Sequence, residues 1–545
     1  MSEAGDASFD ALVDQYLGEL AADEPTGASF LGLTEYDHQL SDHSAEAIGR
    51  RDAAERAWLE RFGAVEAGGL SGAQQVDRDL LLAHLGKGVA TADFESWKRH
   101  VPSYLENGVL ELFIHGDRSD EAATEAAVAR LALVAGVLEA ARENLDPELM
   151  DPVLTGTYGL ANVKGQIGFM REGLGDFVQD EGLRGRLEAA AREAAAHYES
   201  FAEFVEGLAA KASGDFAFGQ ERYDAVLRIG EAFDFGAHDV RQMGYEQMGR
   251  IEAEMAVVAG RLDGSAQWTE ALERLQGDHP TSMDGMLGAY REETAKAKAF
   301  VEAKGIVPLP AGERCAVEPA PLAFRARAPV ASYLPPAFYG APTAGTFNVP
   351  FAPVGASAEE EEGRLRSNAF HMIPSVTVHE AYPGHHLHFA AALVSNPLRQ
   401  WLTSTYMIEG WGLYTEQMMG EYGYYETDEA KLGQLAARQF RAARMVVDTS
   451  LHLGEMSMDE ATAFMHQRGG LPEATARGEV YRYCSWPTQA SSYLTGALEI
   501  ERMAMRWTEG GHGSLAEFHQ ALVTSGKLPL GVAARAIGLG QESEQ

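Results

Sequence analysis

Cysteine is almost absent. The 545-residue chain has two, Cys315 and Cys484, too few for a disulfide framework or a cysteine-rich metal site. Both read as inert thiols of a reducing compartment. Basic side chains are scarce as well, 44 Lys and Arg against 81 Asp and Glu, for a formal net charge of −37. A field of that sign repels phosphate backbones, argues against a nucleic-acid partner and favours solubility. No apolar run reaches the roughly 18–20 residues that span a bilayer. The opening Met1-Ser-Glu-Ala-Gly-Asp6 lacks the basic and apolar regions of a secretory signal. The expected location is therefore the cytoplasm, with no membrane partner. Repeats and low-complexity linkers are also missing.

What is present is helical periodicity over an ordinary hydrophobic fraction of 46%, enough for a large core. Phe9, Leu12, Val13, Tyr16, Leu17 and Leu20 share one helical face, with Ser8 as the expected N-cap and Asp23-Glu24-Pro25 as the stop. Ser119-Asp120 opens an Ala-rich helix that ends before Asp146-Pro147, and further helices are expected over about 183–212, 237–262 and 283–303. Prolines then crowd 306–353, where Val330–Leu334 and Gly345–Val349 are the strand candidates of a small antiparallel sheet. The acidic run Glu359–Glu362 reads as a solvated helix start or loop, and helix returns from about Pro374. The fold class expected is mainly α. Residues 1–305 form an N-terminal helical lobe, 306–353 a small β segment, and 354–545 a C-terminal helical lobe, together one continuous body.

The segment Val376-Thr-Val-His-Glu-Ala-Tyr-Pro-Gly-His-His-Leu-His388 concentrates four histidines and a glutamate. In a zincin helix two histidines four apart present both imidazoles on one face, and the Glu between them acts on water at the metal. Here the second histidine is displaced to His385 or His386. On a straight helix His385 would stand about 9 Å further along, pointing elsewhere. Pro383 and Gly384 allow a bulge that absorbs two residues and returns a histidine to the face of His379. A purely structural polar cluster is the bland alternative. A catalytic zinc needs a third protein ligand. Glu409 lies 24 residues after His385, room for one helix to end and a second to come back past the metal. Glu416, seven further on, shares its face as a supporting carboxylate.

Asp448 and His452 are spaced i, i+4. Asp448 can orient a ligand imidazole and His452 can donate to an oxyanion, or the two form a buried structural pair. Tyr493, then Tyr481, are nominated as the neutral oxyanion donor, and Arg482 as a clamp for a substrate carboxylate. Aromatics at such spacing also serve simply as core. Phe347, in the strand Gly345–Val349, lies where an extended peptide can be added as an extra strand, against the alternative of a packed hairpin.

Several stretches together resemble the bacterial proteins grouped as domain of unknown function 885. They are Pro25-Thr-Gly-Ala-Ser-Phe-Leu-Gly32, Gly214-Asp-Phe-Ala-Phe-Gly219, His379–His386, Glu409-Gly-Trp411, Arg444–His452, Tyr481–Ala490 and Phe518-His519. More distantly the chain is similar to Taq-type metallocarboxypeptidases and, through them, to the helical angiotensin-converting-enzyme and thimet-oligopeptidase groups. That resemblance implies a two-lobed helical body with a central cleft. It also implies a choice of ligand: Gly384-His385-His386-Leu387-His388 lines up with the Gly-His-Ala-Leu-His of those peptidases, making His385 the second ligand. The Tyr-Pro insertion leaves His386 in competition, with a supporting role if His385 wins.

The expected protein is thus a zinc metallopeptidase, carboxypeptidase-like or an oligopeptidase, acting on small peptides. Zn²⁺ is held by His379, His385 and Glu409, Glu380 is the general base, and Tyr493 or His452 is the oxyanion donor. A homodimer is compatible with this. The alternatives are a metal-dependent hydrolase of another amide or ester, and a non-catalytic binding protein on a peptidase scaffold.

Overall fold

The computed structural model describes residues 2–116, 118–264, 267–325, 330–340, 344–353 and 355–540. Helix α1 (Ser2–Asp23) runs past Ser8, so the expected N-cap lies inside it. Its Phe9 and Tyr16 are buried, and Pro25 starts a new short helix, as its fixed φ and missing N–H favour. Ser119 caps α2 (Asp120–Asn144) by accepting from Ala122 N. Asp180 does the same for α3 (Glu181–Ala209), which packs along α2.

Two further long helices follow, α4 (Ala237–Asp263) and α5 (Met283–Lys304). The proline-rich stretch then supplies β1 (Cys315–Pro319), β2 (Ser332–Leu334) and β3 (Gly345–Val349) in the order β1-β3-β2. The sheet is mixed, not antiparallel throughout: β3 runs parallel to β1 and antiparallel to β2. The acidic run falls in the first turn of α6 (Ala358–Ser367), where Ser357 and Glu360 form a capping box and the carboxylates meet the positive helix end.

Six of the helices that follow build the site: α7 (Ile373–Glu380), α8 (His385–Ala392), α9 (Thr405–Glu421), α10 (Asp428–His452), α11 (Glu473–Ser485) and α12 (Gln489–Glu509). Helix α10 lies between α4 and α12, α9 lies along α12, and α7 rests on α5, α9 and α10. Trp411, Met445, Val446, Val447, Leu494 and Ala497 are wholly buried at these contacts. The chain divides into two compact units, Met1–Phe218 with Pro336–Thr343, and Gly219–Pro335 with Ala344–Gln545. Every candidate site residue belongs to the second. Among the described residues no helix is long and apolar enough to cross a membrane.

Candidate metal centre

Helix α7 ends at Glu380. Ala381, at φ −114° and ψ −90°, leaves the helical region, the Tyr382–Pro383 bond is cis, and Gly384 N donates back to Val378 O at 3.0 Å. That bond spans six residues where a helix spans four, so two residues are taken up in a loop before α8 restarts at His385. Gly384 has to be glycine, because a Cβ there would stand 2.0 Å from the His379 carbonyl oxygen. The loop brings the His379 and His385 rings to 4.6 Å between centroids at 78°.

His379, Glu380 and His385 are buried, and their ligand atoms all lie within 4.8 Å of one another, a group that could hold a metal ion. Glu409 joins them from α9. Its Oε2 stands 3.4 Å from His379 Nε2 and 3.5 Å from His385 Nε2. Glu416, two turns along the same face, accepts from His379 Nδ1 at 2.9 Å and from the Ser375 hydroxyl. Helix α9 comes this close because residue 412 is glycine: a Cβ there would sit 2.6 Å from His379 Cε1. Trp411 Nε1 meanwhile donates to the Pro383 carbonyl at 2.8 Å. The Glu409-Gly-Trp-Gly412 run therefore supplies a carboxylate, a tether for the loop and the room for His379.

Electrostatics follow from burial and pairing. Burial disfavours charge on His379, but its hydrogen bonds to Glu409 and Glu416 outweigh this and carry it up to about 10. Burial likewise raises Glu409, yet the bonds to His379 and His385 hold it well below the usual carboxylate range. Glu380 has no such bonds, and burial dominates, pushing its carboxyl up. The charges of His385 and His379 partly oppose that rise, and to a smaller degree so does that of Arg441, a residue the sequence did not single out. Its guanidinium lies 5.9 Å from the Tyr493 ring centroid.

The two histidines compared in the sequence go to different places. His385 faces His379 and Glu409. His386, 1% exposed, has both nitrogens engaged elsewhere: Nδ1 is 2.9 Å from Tyr333 Oη and Nε2 is 2.5 Å from Glu313 Oε2. Tyr493 stacks 6.3 Å from the His379 ring, and Gln489 Nε2 donates to its hydroxyl at 3.3 Å. Arg482 bonds Gln489 at 2.6 Å and Glu479 at 3.0 Å. Glu479 also accepts from Arg444 at 2.7 Å and Tyr483 at 2.7 Å, and the Arg444 guanidinium lies 4.7 Å from the Tyr493 ring centroid.

Other nominated residues stand differently. Asp448 is wholly buried and accepts from the Tyr223 hydroxyl at 2.5 Å; the carboxylate that orients a site imidazole is Glu416. His452, also wholly buried, has Nε2 3.0 Å from the Tyr483 carbonyl and 3.7 Å from Asp448 Oδ1. Tyr481 pairs with Arg477, which also reaches Asp459 at 2.9 Å. Phe347 is 0% exposed, edge-on to Tyr290 at 5.3 Å. Since β3 is the middle strand, paired on both sides, it has no edge to offer an added peptide.

A family described as "Bacterial protein of unknown function (DUF885)" matches residues 25–537. The chain belongs to this family. No curated protein matches. Two solved structures share the fold. One is a putative lipoprotein of unknown function from Shewanella oneidensis, with a TM-score of 0.77 at 20% identity, covering 97% of this chain and 99% of that one. The other is a putative lipoprotein from Colwellia psychrerythraea, with a TM-score of 0.81 at 20% identity, covering 97% and 98%.

Proposed function

We propose that this DUF885 protein is a zinc-dependent hydrolase of peptide bonds in small peptides, a distant relative of the Taq-type metallocarboxypeptidases. The observation that carries the reading is the spacing of His379 Nε2, His385 Nε2 and Glu409 Oε2. The two separations, 3.4 and 3.5 Å, match tetrahedral zinc, whose N and O ligands at about 2.0–2.2 Å stand roughly 3.3–3.6 Å apart. Two imidazoles and one carboxylate also suit that ion and leave a fourth position open. Bound there, zinc would supply a Lewis acid and lower the pKa of water at that open position.

The chain's own residues do the rest. Glu409 and the two imidazoles would hold the ion, and Glu416 fixes the His379 ring through its Nδ1. Glu380, buried beside the ligands and with its charge opposed by that of Glu409, takes a proton from the attacking water and hands it to the leaving amine. Its raised pKa suits a group that must both accept and return a proton. Tyr493 donates to the carbonyl oxygen as negative charge develops there. His452 drops out of that role, because its Nε2 is engaged by the Tyr483 carbonyl. Arg482 is similarly occupied by Gln489 and Glu479, so its part is to buttress Gln489 and Tyr493.

The place of action is proposed to be the cytoplasm, with the envelope fraction as the competing result, since two similar structures are described as putative lipoproteins. The deciding experiment pairs zinc analysis with a peptide-library digest of wild type and Glu380→Gln. One zinc per chain in both proteins is expected, with hydrolysis only in wild type. Equal hydrolysis by the variant removes Glu380 from the mechanism, and a wild-type chain that takes up no zinc overturns the reading.

A further inference from the structure

Metal-binding histidines are usually aimed by a hydrogen bond from the second ring nitrogen. His379 has one, to Glu416. His385 does not: its Nδ1 is buried without a hydrogen-bond partner among the described residues. The direction of the His385 ring is therefore set by the backbone that delivers it, the loop from Ala381 to Gly384 and the first turn of α8. What fixes that loop also aims the ligand.

The fixing comes from a residue far away in sequence. Glu313, just before β1, has a side chain only 4% exposed. Its Oε2 accepts from the Tyr382 hydroxyl at 2.6 Å and meets His386 Nε2 at 2.5 Å, while Oε1 pairs with Lys298 Nζ at 2.6 Å. Tyr382 and His386 flank Pro383-Gly384-His385, so one carboxylate ties together the two sides of the loop. Lys298 also lies 5.3 Å from the Tyr382 ring centroid. Tyr333, on β2, holds the other nitrogen of His386. Burial opposes charge on Glu313, but its bonds to His386, Lys298 and Tyr382 outweigh this and lower it to about 2, so the clamp is ionised across the physiological range.

We propose that Glu313 is a positioning residue: it closes the Tyr382–His386 loop and thereby directs His385 toward His379 and Glu409. The loop is where this chain departs from the spacing of an ordinary zincin helix, and Glu313 with Trp411 compensates for it. The consequence for zinc rests on the reading above, whereas the clamp itself does not.

Hydrogen exchange of the metal-free protein tests the clamp directly. Glu313→Gln should exchange faster than wild type over residues 381–388. Tyr382→Phe, which removes one bond and keeps the ring, should do so to a smaller degree and provides the measurement if the Gln variant folds poorly. Val258→Ala, a buried truncation in α4, controls for general destabilisation and should leave that segment unchanged. Zinc titration should then show Glu313→Gln weakened about 10–100-fold, the usual cost of losing support behind a ligand. The visible spectrum of the cobalt(II) form should shift, since it reports ligand geometry. Unchanged exchange over 381–388 in both variants overturns the clamp whatever zinc does. Faster exchange in a protein that binds no zinc upholds the clamp and removes the metal reading alone.

Discussion

At the scale of single residues, His379, Glu380 and Glu409 were legible because their types and spacings have a chemical meaning along a helix. The choice between His385 and His386 was not, since it depends on what meets each ring. Glu313 and Tyr333 claim both nitrogens of His386, and neither lies within 50 residues of it in sequence. Glu313 looked like any acidic residue in a proline-rich stretch, and nothing local marked it. The same holds for Asp448, which had two readings: Glu416 is the carboxylate bonded to His379, and Asp448 lies wholly buried beside His452 and Tyr223. These assignments rank a mutant series. His379→Ala and His385→Ala should lose zinc most severely, and His386→Ala and Glu416→Ala should each keep binding at about 10–100-fold lower affinity. Chelator-competition titrations of the four proteins read this out. A His386→Ala loss as deep as that of His385→Ala would place His386 among the ligands.

At the scale of elements, long amphipathic helices were read closely because burial of one face imposes a 3.6-residue period. The stretches expected over 183–212, 237–262 and 283–303 are Glu181–Ala209, Ala237–Asp263 and Met283–Lys304. Strand β1 was missed: Cys315-Ala-Val-Glu-Pro319 is short, ends in proline and has only Val317 buried. Its parallel pairing to β3 is a long-range choice that local pattern does not encode. Helix–helix approach is equally silent in the hydrophobic pattern, and Gly412 is the instructive position. In sequence it is one half of a Gly-Trp-Gly run; in the fold it is the opening into which the His379 ring fits. Gly412→Ala should force α9 and α7 apart or turn the imidazole from Glu416. The expected cost is about 1–3 kcal/mol of stability, typical of overpacking, together with a larger loss of zinc affinity than an exposed change such as Gly249→Ala in α4, where a Cβ meets nothing within 4 Å, produces. Denaturant unfolding and zinc titration of both variants measure the two effects. Equal zinc affinity in the two would show that the ring tolerates the added methyl.

At the scale of the whole molecule, a chain of net charge −37 that gathers three carboxylates around two imidazoles favours a cation at that site. Without metal the protein can supply one by protonating His379, which is carried up to about 10. That charge contributes stability fully present below the unfolded histidine pKa of about 6.5 and lost as pH rises through about 10. Zinc must expel this proton to bind, so its apparent affinity should climb about tenfold per pH unit up to that value. Two thermal-unfolding curves therefore diverge with pH. In chelator, Tm should drift downward between pH 7 and 9 as the His379 contribution is lost. With zinc at a fixed concentration, the gain over the chelator curve should widen across the same interval. At 100 times Kd the native state gains about 2.7 kcal/mol, which for a chain this size is a rise of a few degrees. Zinc uptake in weakly buffered solution should release about one proton per ion near pH 7. Coincident curves in zinc and in chelator at every pH would mean that the His379 group holds its proton and no ion.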